Sequence, residues 1–219
     1  MRYGASRIGH SSCKVAVFAT AALLFFSAAP AARAETQIPF PRPVSIEPKV
    51  QFWVDVFTAY SYRDFVLLDR TNIWRIYKVF HLPGQGPPNR DDVEWANAYL
   101  KTKYTDILNR LASGREPCND EERQVAAMFQ GEPPRAYRDA IQNLRVQEGL
   151  RERFREGLLR SRYYRPTMER IFRAAGVPPE LVTLASVESG FQGGARSGAG
   201  AVGIWQFTRA TGRKYMKVS

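Results

Sequence analysis

The chain of 219 residues is poor in the side chains that bind metals or form disulfides, with only two histidines and two cysteines. His10 and Cys13 both lie within the first 34 residues. His81 alone gives no support for a metal site, and Cys118 alone cannot form an internal disulfide. The acidic neighbours of Cys118 disfavour a reactive thiolate. We therefore expect no metal, no cofactor and no catalytic cysteine.

A hydrophobic run long enough to span a membrane is also missing near the N-terminus. The apolar stretch at residues 15–26 is shorter than the roughly 20 residues that a spanning helix needs. Bases and no acids surround this stretch, and small residues follow it up to Ala34. This pattern is typical of a secretory signal peptide over residues 1–34, without a lipobox, and an uncleaved anchor is the alternative. We expect export to the periplasm or cell envelope.

Positive charge exceeds negative charge along the whole chain. Removal of residues 1–34 takes away four of the 32 bases and none of the 21 acids, which lowers the net charge from +11 to +7. That charge suits an anionic cell-wall or membrane surface. The mixed charges of residues 145–162 are typical of a solvated helix face, so nucleic acid is not an expected partner.

The sequence patterns predict a mainly α fold. A proline-rich leader at residues 35–48 precedes a mostly helical N-terminal region at 49–162, which contains one small β-hairpin around a turn at 69–72. One face of the first long helix is predicted to carry Trp95, Tyr99, Ile107, Leu108 and Leu111. Further helices are predicted from Asn119, after Pro134, over 145–162, over 166–175 and from Pro179 to Ser189.

Glu188 is the acidic residue that the helical pattern singles out. Leu184 and Ala185 lie four and three residues before it, which places a carboxylate on an apolar face. Such a group is costly unless it is protonated, paired or open to a cleft. Apolar neighbours favour the protonated form and nearby bases favour the ionised form, so both states remain open. The simpler alternative is a glutamate at a helix end that points to water.

A glycine-rich segment follows Glu188, with six glycines in residues 189–203. Glycines at this density indicate sharp turns or close approach of the backbone to a ligand. No phosphate-loop spacing is present. The aromatic side chains of Phe191, Trp205 and Phe207 either offer an apolar surface to a sugar ring or belong to the core. Gln206 can donate or accept hydrogen bonds to an amide.

Residues 179–191, 197–207 and 211–215 together resemble the opening half of a soluble-lytic-transglycosylase domain. The E-S pair at Glu188 and the G-x-x-Q-F element at 203–207 carry the resemblance. In detail these motifs are most similar to the membrane-bound lytic murein transglycosylase D group. The resemblance implies a lysozyme-like helical fold and a partial catalytic domain at residues 163–219.

The resemblance also implies an activity and a set of site residues. The family cleaves the bond between N-acetylmuramic acid and N-acetylglucosamine in peptidoglycan and leaves a 1,6-anhydro end. Glu188 would be the single catalytic acid/base, and Ser189, Ser197, Gln206 and Phe207 would contact the substrate. No other acid follows Leu181, which agrees with a one-carboxylate mechanism because ordinary glycosidases need two.

The family's later tyrosine motifs have no counterpart before Ser219. We therefore expect a truncated chain that is weakly active or inactive. Three other functions remain open. The chain could be a lysozyme-type hydrolase, a non-catalytic peptidoglycan-binding or scaffolding protein, or a nucleic-acid binder, the last suggested only by the high pI.

Overall fold

The computed structural model describes residues 40–215, and the fold is mainly α with one small antiparallel sheet. The predicted signal peptide and residues 35–39 of the leader lie outside the described residues. In chain order the elements are α1 (Glu47–Thr58), β1 (Asp64–Asp69), β2 (Ile76–His81), α2 (Arg90–Ala112), α3 (Asp120–Ala127), α4 (Arg135–Gln142), β3 (Leu144–Glu148), α5 (Arg151–Ala174), α6 (Leu184–Glu188) and α7 (Arg209–Tyr215). Two 3-10 helices, at Val44–Ile46 and Pro179–Thr183, precede α1 and α6.

Strand β1 is the centre of the sheet, whose order is β2-β1-β3. Side chains alternate between the two faces of a strand. Phe65 and Leu67 therefore enter a large core built with α2, α3 and α4, whereas Val66 and Leu68 enter a smaller core with α1. Because both faces of β1 are covered, its sequence is almost continuously apolar.

The sequence predicts the hairpin and the ends of several helices. Strands β1 and β2 pair antiparallel, so the hairpin is confirmed. Asn119 accepts a hydrogen bond from the backbone N–H of Glu122 at 2.9 Å, which confirms the predicted helix start. Asn89 caps α2 in the same way, at 2.8 Å from the N–H of Asp92.

The prediction for residues 145–175 is wrong in two respects. Residues Leu144–Glu148 form strand β3, which pairs with β1, and not the first turn of a helix. Helix α5 then runs unbroken through Pro166, so two predicted helices are one. Proline removes one backbone hydrogen bond, but the residues that follow, Met168 and Phe172, pack against a third core and hold the helix together.

The buried face of α2 differs in part from the prediction. Trp95 is 53% exposed and Tyr99 is 40% exposed, and the two rings stack on each other at 5.2 Å outside the core. Ile107, Leu108 and Leu111 are buried as predicted. Leu100 and Tyr104 join them in the core. Among the described helices, none is both long and apolar enough to cross a membrane.

The carboxylate of Glu121 links α3 to α2. Glu121 accepts a hydrogen bond from the buried Tyr104 hydroxyl at 2.7 Å and pairs with Lys103 at 2.6 Å. Burial raises the pKa of Glu121, but the hydrogen bonds from Lys103 and Tyr104 outweigh it and hold that pKa below its usual value. The ionised form therefore stabilises the fold.

We predict that Glu121→Gln lowers the free energy of unfolding by about 1 kcal/mol near neutral pH, because it removes a charge-assisted hydrogen bond. The higher free energy of unfolding of the wild type is present above the usual pKa of a glutamate. It is lost as pH falls through the lowered folded-state pKa of Glu121. Urea unfolding across this acidic range measures the difference. The matched control is Glu94→Gln, which removes an exposed pair with Arg90. A pH-independent difference between wild type and Glu121→Gln contradicts the prediction.

Candidate active site

Glu188 is the last residue of α6 and is exposed. Val182 and Ala185 are fully buried, whereas Leu184 is 51% exposed. The prediction that Glu188 shares a buried apolar face with Leu184 and Ala185 is therefore wrong. Residues Pro179–Thr183 wind as a 3-10 helix. Val182 and Ala185 pack in the third core, whereas Glu188, at the end of α6, is exposed.

The Glu188 carboxylate lines a cleft of about 280 Å³ between α6 and α5. One wall is the chain from Ser186 to Gln192, and the other is the first half of α5. Phe57 of α1 and Leu150 complete the lining. Within residues 40–215, no side chain or backbone donor lies within hydrogen-bond distance of the Glu188 carboxylate. This acid is therefore available to a ligand in the cleft.

A close approach of two glycines holds the two walls together. An added Cβ on Gly157 of α5 would lie 3.0 Å from the Cα of Gly190, so only a glycine fits there without movement. Next to this contact, the Arg160 Nε donates to the Gly190 carbonyl at 2.8 Å. These contacts fix the position of the backbone that follows Glu188.

The α5 wall brings charged side chains to Glu188 that are distant in sequence. Arg153, Glu156 and Arg160 all line the cleft. An Arg160 Nη atom lies 3.6 Å from a Glu156 carboxylate oxygen. No acid other than Glu188 follows Leu181 in the sequence, so a second carboxylate near Glu188 can come only from an earlier segment. Glu156 is the second carboxylate of the cleft, and no local sequence signal identifies it.

Ser189 connects the end of α6 to the glycine-rich segment. Its hydroxyl donates to the Ile204 carbonyl at 2.8 Å, and it also lies 3.4 Å from the Ala185 carbonyl. The next two residues, Gly190 and Phe191, have φ of 57° and 58°. This left-handed conformation is unusual for phenylalanine, and it turns the Phe191 ring into the third core, where it is 1% exposed. Phe191 is therefore a core residue.

Ser197 and Gln206 stabilise the glycine-rich segment itself. The Ser197 hydroxyl accepts a hydrogen bond from the Ala201 N–H at 3.0 Å. The Gln206 amide donates to the Gly203 carbonyl at 2.7 Å, and its backbone φ is 48°. Neither residue is among the lining residues of the Glu188 cleft. Strained backbone at Gln206 is typical of functional segments, but the structure leaves its substrate role a prediction.

Phe207 faces a different cavity from Glu188. It is 42% exposed and lines a space of about 570 Å³ together with Trp205, Val202 and Arg209. The Trp205 ring also stacks on Phe172 of α5 at 5.7 Å. The five predicted site residues thus divide into Glu188 and Ser189 at the cleft, and Ser197, Gln206 and Phe207 in the following segment.

The described residues offer no cluster of three or more histidine, cysteine, aspartate or glutamate side chains arranged to hold a metal ion. Cys118 is not among the residues that line the cleft, and it lies beside Glu122 at the start of α3.

We predict that Gly157→Val lowers the free energy of unfolding by about 1–3 kcal/mol, because the new side chain meets the Gly190 backbone. The matched control is Gly193→Ala, where an added Cβ meets no atom within 4 Å and the expected change is within about 0.5 kcal/mol. Denaturant unfolding of both variants gives the comparison. Equal effects at the two glycines would show that the close approach is unimportant.

Comparison with known proteins gives one match. Residues 169–219 match the family described as Transglycosylase SLT domain, a range that starts in the second half of α5 and contains Glu188 and the glycine-rich segment. No curated protein and no solved structure matches the chain. The family match supports the lytic transglycosylase family for this part of the chain, and it indicates a transglycosylase-type enzyme with peptidoglycan as its substrate.

Proposed function

We propose that this protein is a lytic transglycosylase that cleaves the β-1,4 bond between N-acetylmuramic acid and N-acetylglucosamine and leaves 1,6-anhydro ends. The observation that carries the proposal is the family match over residues 169–219, combined with an exposed Glu188 carboxylate in an open cleft. Such an enzyme acts in turnover and remodelling of the cell wall.

Glu188 is the catalytic residue in this proposal and acts twice. As an acid it donates its proton to the glycosidic oxygen while the bond from that oxygen to C1 of the muramyl sugar breaks. As a carboxylate it then removes the proton from the C6 hydroxyl of the same sugar, whose oxygen forms a bond to C1 and closes the anhydro ring. The acid is regenerated and no water is consumed.

The position of Glu188 supports this double role. Its helix end is held by the Gly157–Gly190 approach and by the Ser189 hydrogen bond to Ile204. A carboxyl group on a fixed backbone returns to the same place after it gives up a proton, which efficient acid/base catalysis requires. The absence of a hydrogen-bond donor to this carboxylate within residues 40–215 leaves both of its oxygens free for substrate.

We also propose a cellular location and partners for the protein. The N-terminal pattern supports export to the periplasm, and the motifs support the membrane-bound lytic murein transglycosylase D group within the family. Glycan strands of peptidoglycan are the expected partner. An anionic cell-wall or membrane surface is a further expected partner. Arg155, Arg162 and Arg170 on the outer face of α5 are exposed, and no described carboxylate lies within 4 Å of them.

Hydrolysis of the same bond is the second candidate, and Glu156 favours it. Two carboxyl groups that flank a glycosidic bond allow one to act as an acid and the other to activate water or attack C1. Glu156 lines the Glu188 cleft, but it is engaged by Arg160. The proposed transglycosylase reaction does not need Glu156 as a base.

We predict that Glu188→Gln lowers the rate of product release from purified sacculi by roughly 10²–10⁴-fold, the usual contribution of a general acid/base, while binding to sacculi is retained. Glu180→Gln is the matched control, because Glu180 is exposed in the 3-10 helix that precedes α6. Unchanged release by Glu188→Gln contradicts the enzyme proposal and favours a wall-binding protein.

Mass spectrometry of the products separates the two reactions. The proposal predicts 1,6-anhydro ends from the wild-type chain and from Glu156→Gln, with rates within roughly ten-fold of each other, a range that allows for the lost Arg160 contact. Reducing ends, together with loss of activity in Glu156→Gln, would establish hydrolysis with two carboxylates instead.

A further inference from the structure

The charges that line the Glu188 cleft do not all have partners. Glu156 and Arg160 lie 3.6 Å apart, and Arg160 is also bound to the Gly190 carbonyl. Arg153 lines the same cleft and is exposed. Within residues 40–215, no carboxylate oxygen lies within 4 Å of the Arg153 guanidinium. One guanidinium of the cleft is therefore free to bind a ligand.

Helix geometry explains why Arg153 faces the cleft. Arg153, Gly157 and Arg160 lie four and three residues apart, so they share one face of α5. This is the face that contacts the segment after Glu188. An added Cβ on Gly190 would lie 3.9 Å from the Arg153 carbonyl oxygen and 3.2 Å from an Arg160 Nη atom. The backbone of Arg153 is thus held beside Gly190, while its side chain remains available.

The charge balance of the cleft favours an anionic group on the substrate. Glu156 and Arg160 offset each other. The proposed reaction starts with Glu188 protonated and neutral. The guanidinium of Arg153 therefore gives the cleft a net positive charge. Guanidinium groups bind carboxylates through two parallel hydrogen bonds. A neutral sugar polymer offers no carboxylate to this guanidinium.

We propose that Arg153 is a specificity-determining residue that binds a carboxylate of the glycan next to the bond cleaved at Glu188. The inference rests on the proposed function, and it narrows the substrate to carboxylate-bearing strands in preference to neutral chitin-like strands. The carboxylate has two sources in peptidoglycan. It belongs either to the lactyl group of a strand without peptides or to a stem peptide attached to that group.

Binding is measured in the Glu188→Gln background, so that no ligand is consumed. The probes are a muramyl tetrasaccharide with free lactyl carboxylates, the same tetrasaccharide with stem peptides, and neutral chitotetraose. We expect tighter binding of the carboxylated probes than of chitotetraose. We expect R153Q to weaken the carboxylated complexes by roughly ten-fold, the size of a charge-assisted contact at an exposed site, without changing the affinity for chitotetraose.

Two further variants separate recognition from a structural effect. R153K retains the charge but not the paired donors, so it should bind the carboxylated probes with intermediate affinity. R138Q is the matched control, because Arg138 is exposed on α4 and does not line the cleft; it should behave like its parent. Whichever carboxylated probe responds to R153Q identifies the source of the carboxylate.

The inference and the proposed function fail in different ways. Equal loss of affinity for all three probes in R153Q, or no loss for any of them, overturns the role of Arg153 while the Glu188 chemistry still stands. If the wild-type chain releases no product but R153Q still loses its preference for carboxylates, the proposed reaction fails and the recognition stands. If no probe binds in the Glu188→Gln background, both are overturned.

Discussion

The arrangement of the cleft depends on the close backbone contact between α5 and the residues that follow Glu188. An added Cβ on Gly157 would lie 3.0 Å from the Gly190 Cα, and Gly190 itself has a φ of 57°, so both positions favour glycine. The Arg160 hydrogen bond to the Gly190 carbonyl then fixes the approach in one orientation. Protein interiors respond to changes as small as one methylene, so this contact determines where the Glu188 carboxylate lies relative to the charges of α5.

The two ends of α5 connect this contact to the rest of the fold. At its start, Phe154 packs against Phe57 of α1, with ring centroids 5.1 Å apart. Toward its end, Met168 and Phe172 pack against the third core beneath α6. One continuous helix therefore joins the region built around β1 to the region that carries Glu188. The cleft lies along this helix, and residues from both regions line it.

Sequence patterns predict those elements whose determinants are local. The hairpin follows from apolar strands on either side of a polar turn, and the starts of α2 and α3 follow from an asparagine whose side chain binds the N–H three residues later. Strand β3 is not predictable in this way, because its charged sequence resembles a helix surface and its partner β1 lies far away in the chain. Pro166 likewise predicts a helix boundary that the structure lacks. Helix α5 continues through it because Met168 and Phe172 pack against the third core, a tertiary contact.

The sequence by itself determined the mainly helical class and the hairpin, because these depend on periodicity, capping and turn residues. Only the tertiary structure decided that Glu188 is exposed, since packing against α5 buries Val182 and Ala185 in the third core and leaves Glu188 outside it. It also decided that Arg153, Glu156 and Arg160 surround the cleft. These side chains reach Glu188 through packing between segments that are separated along the chain, and no local pattern encodes such contacts.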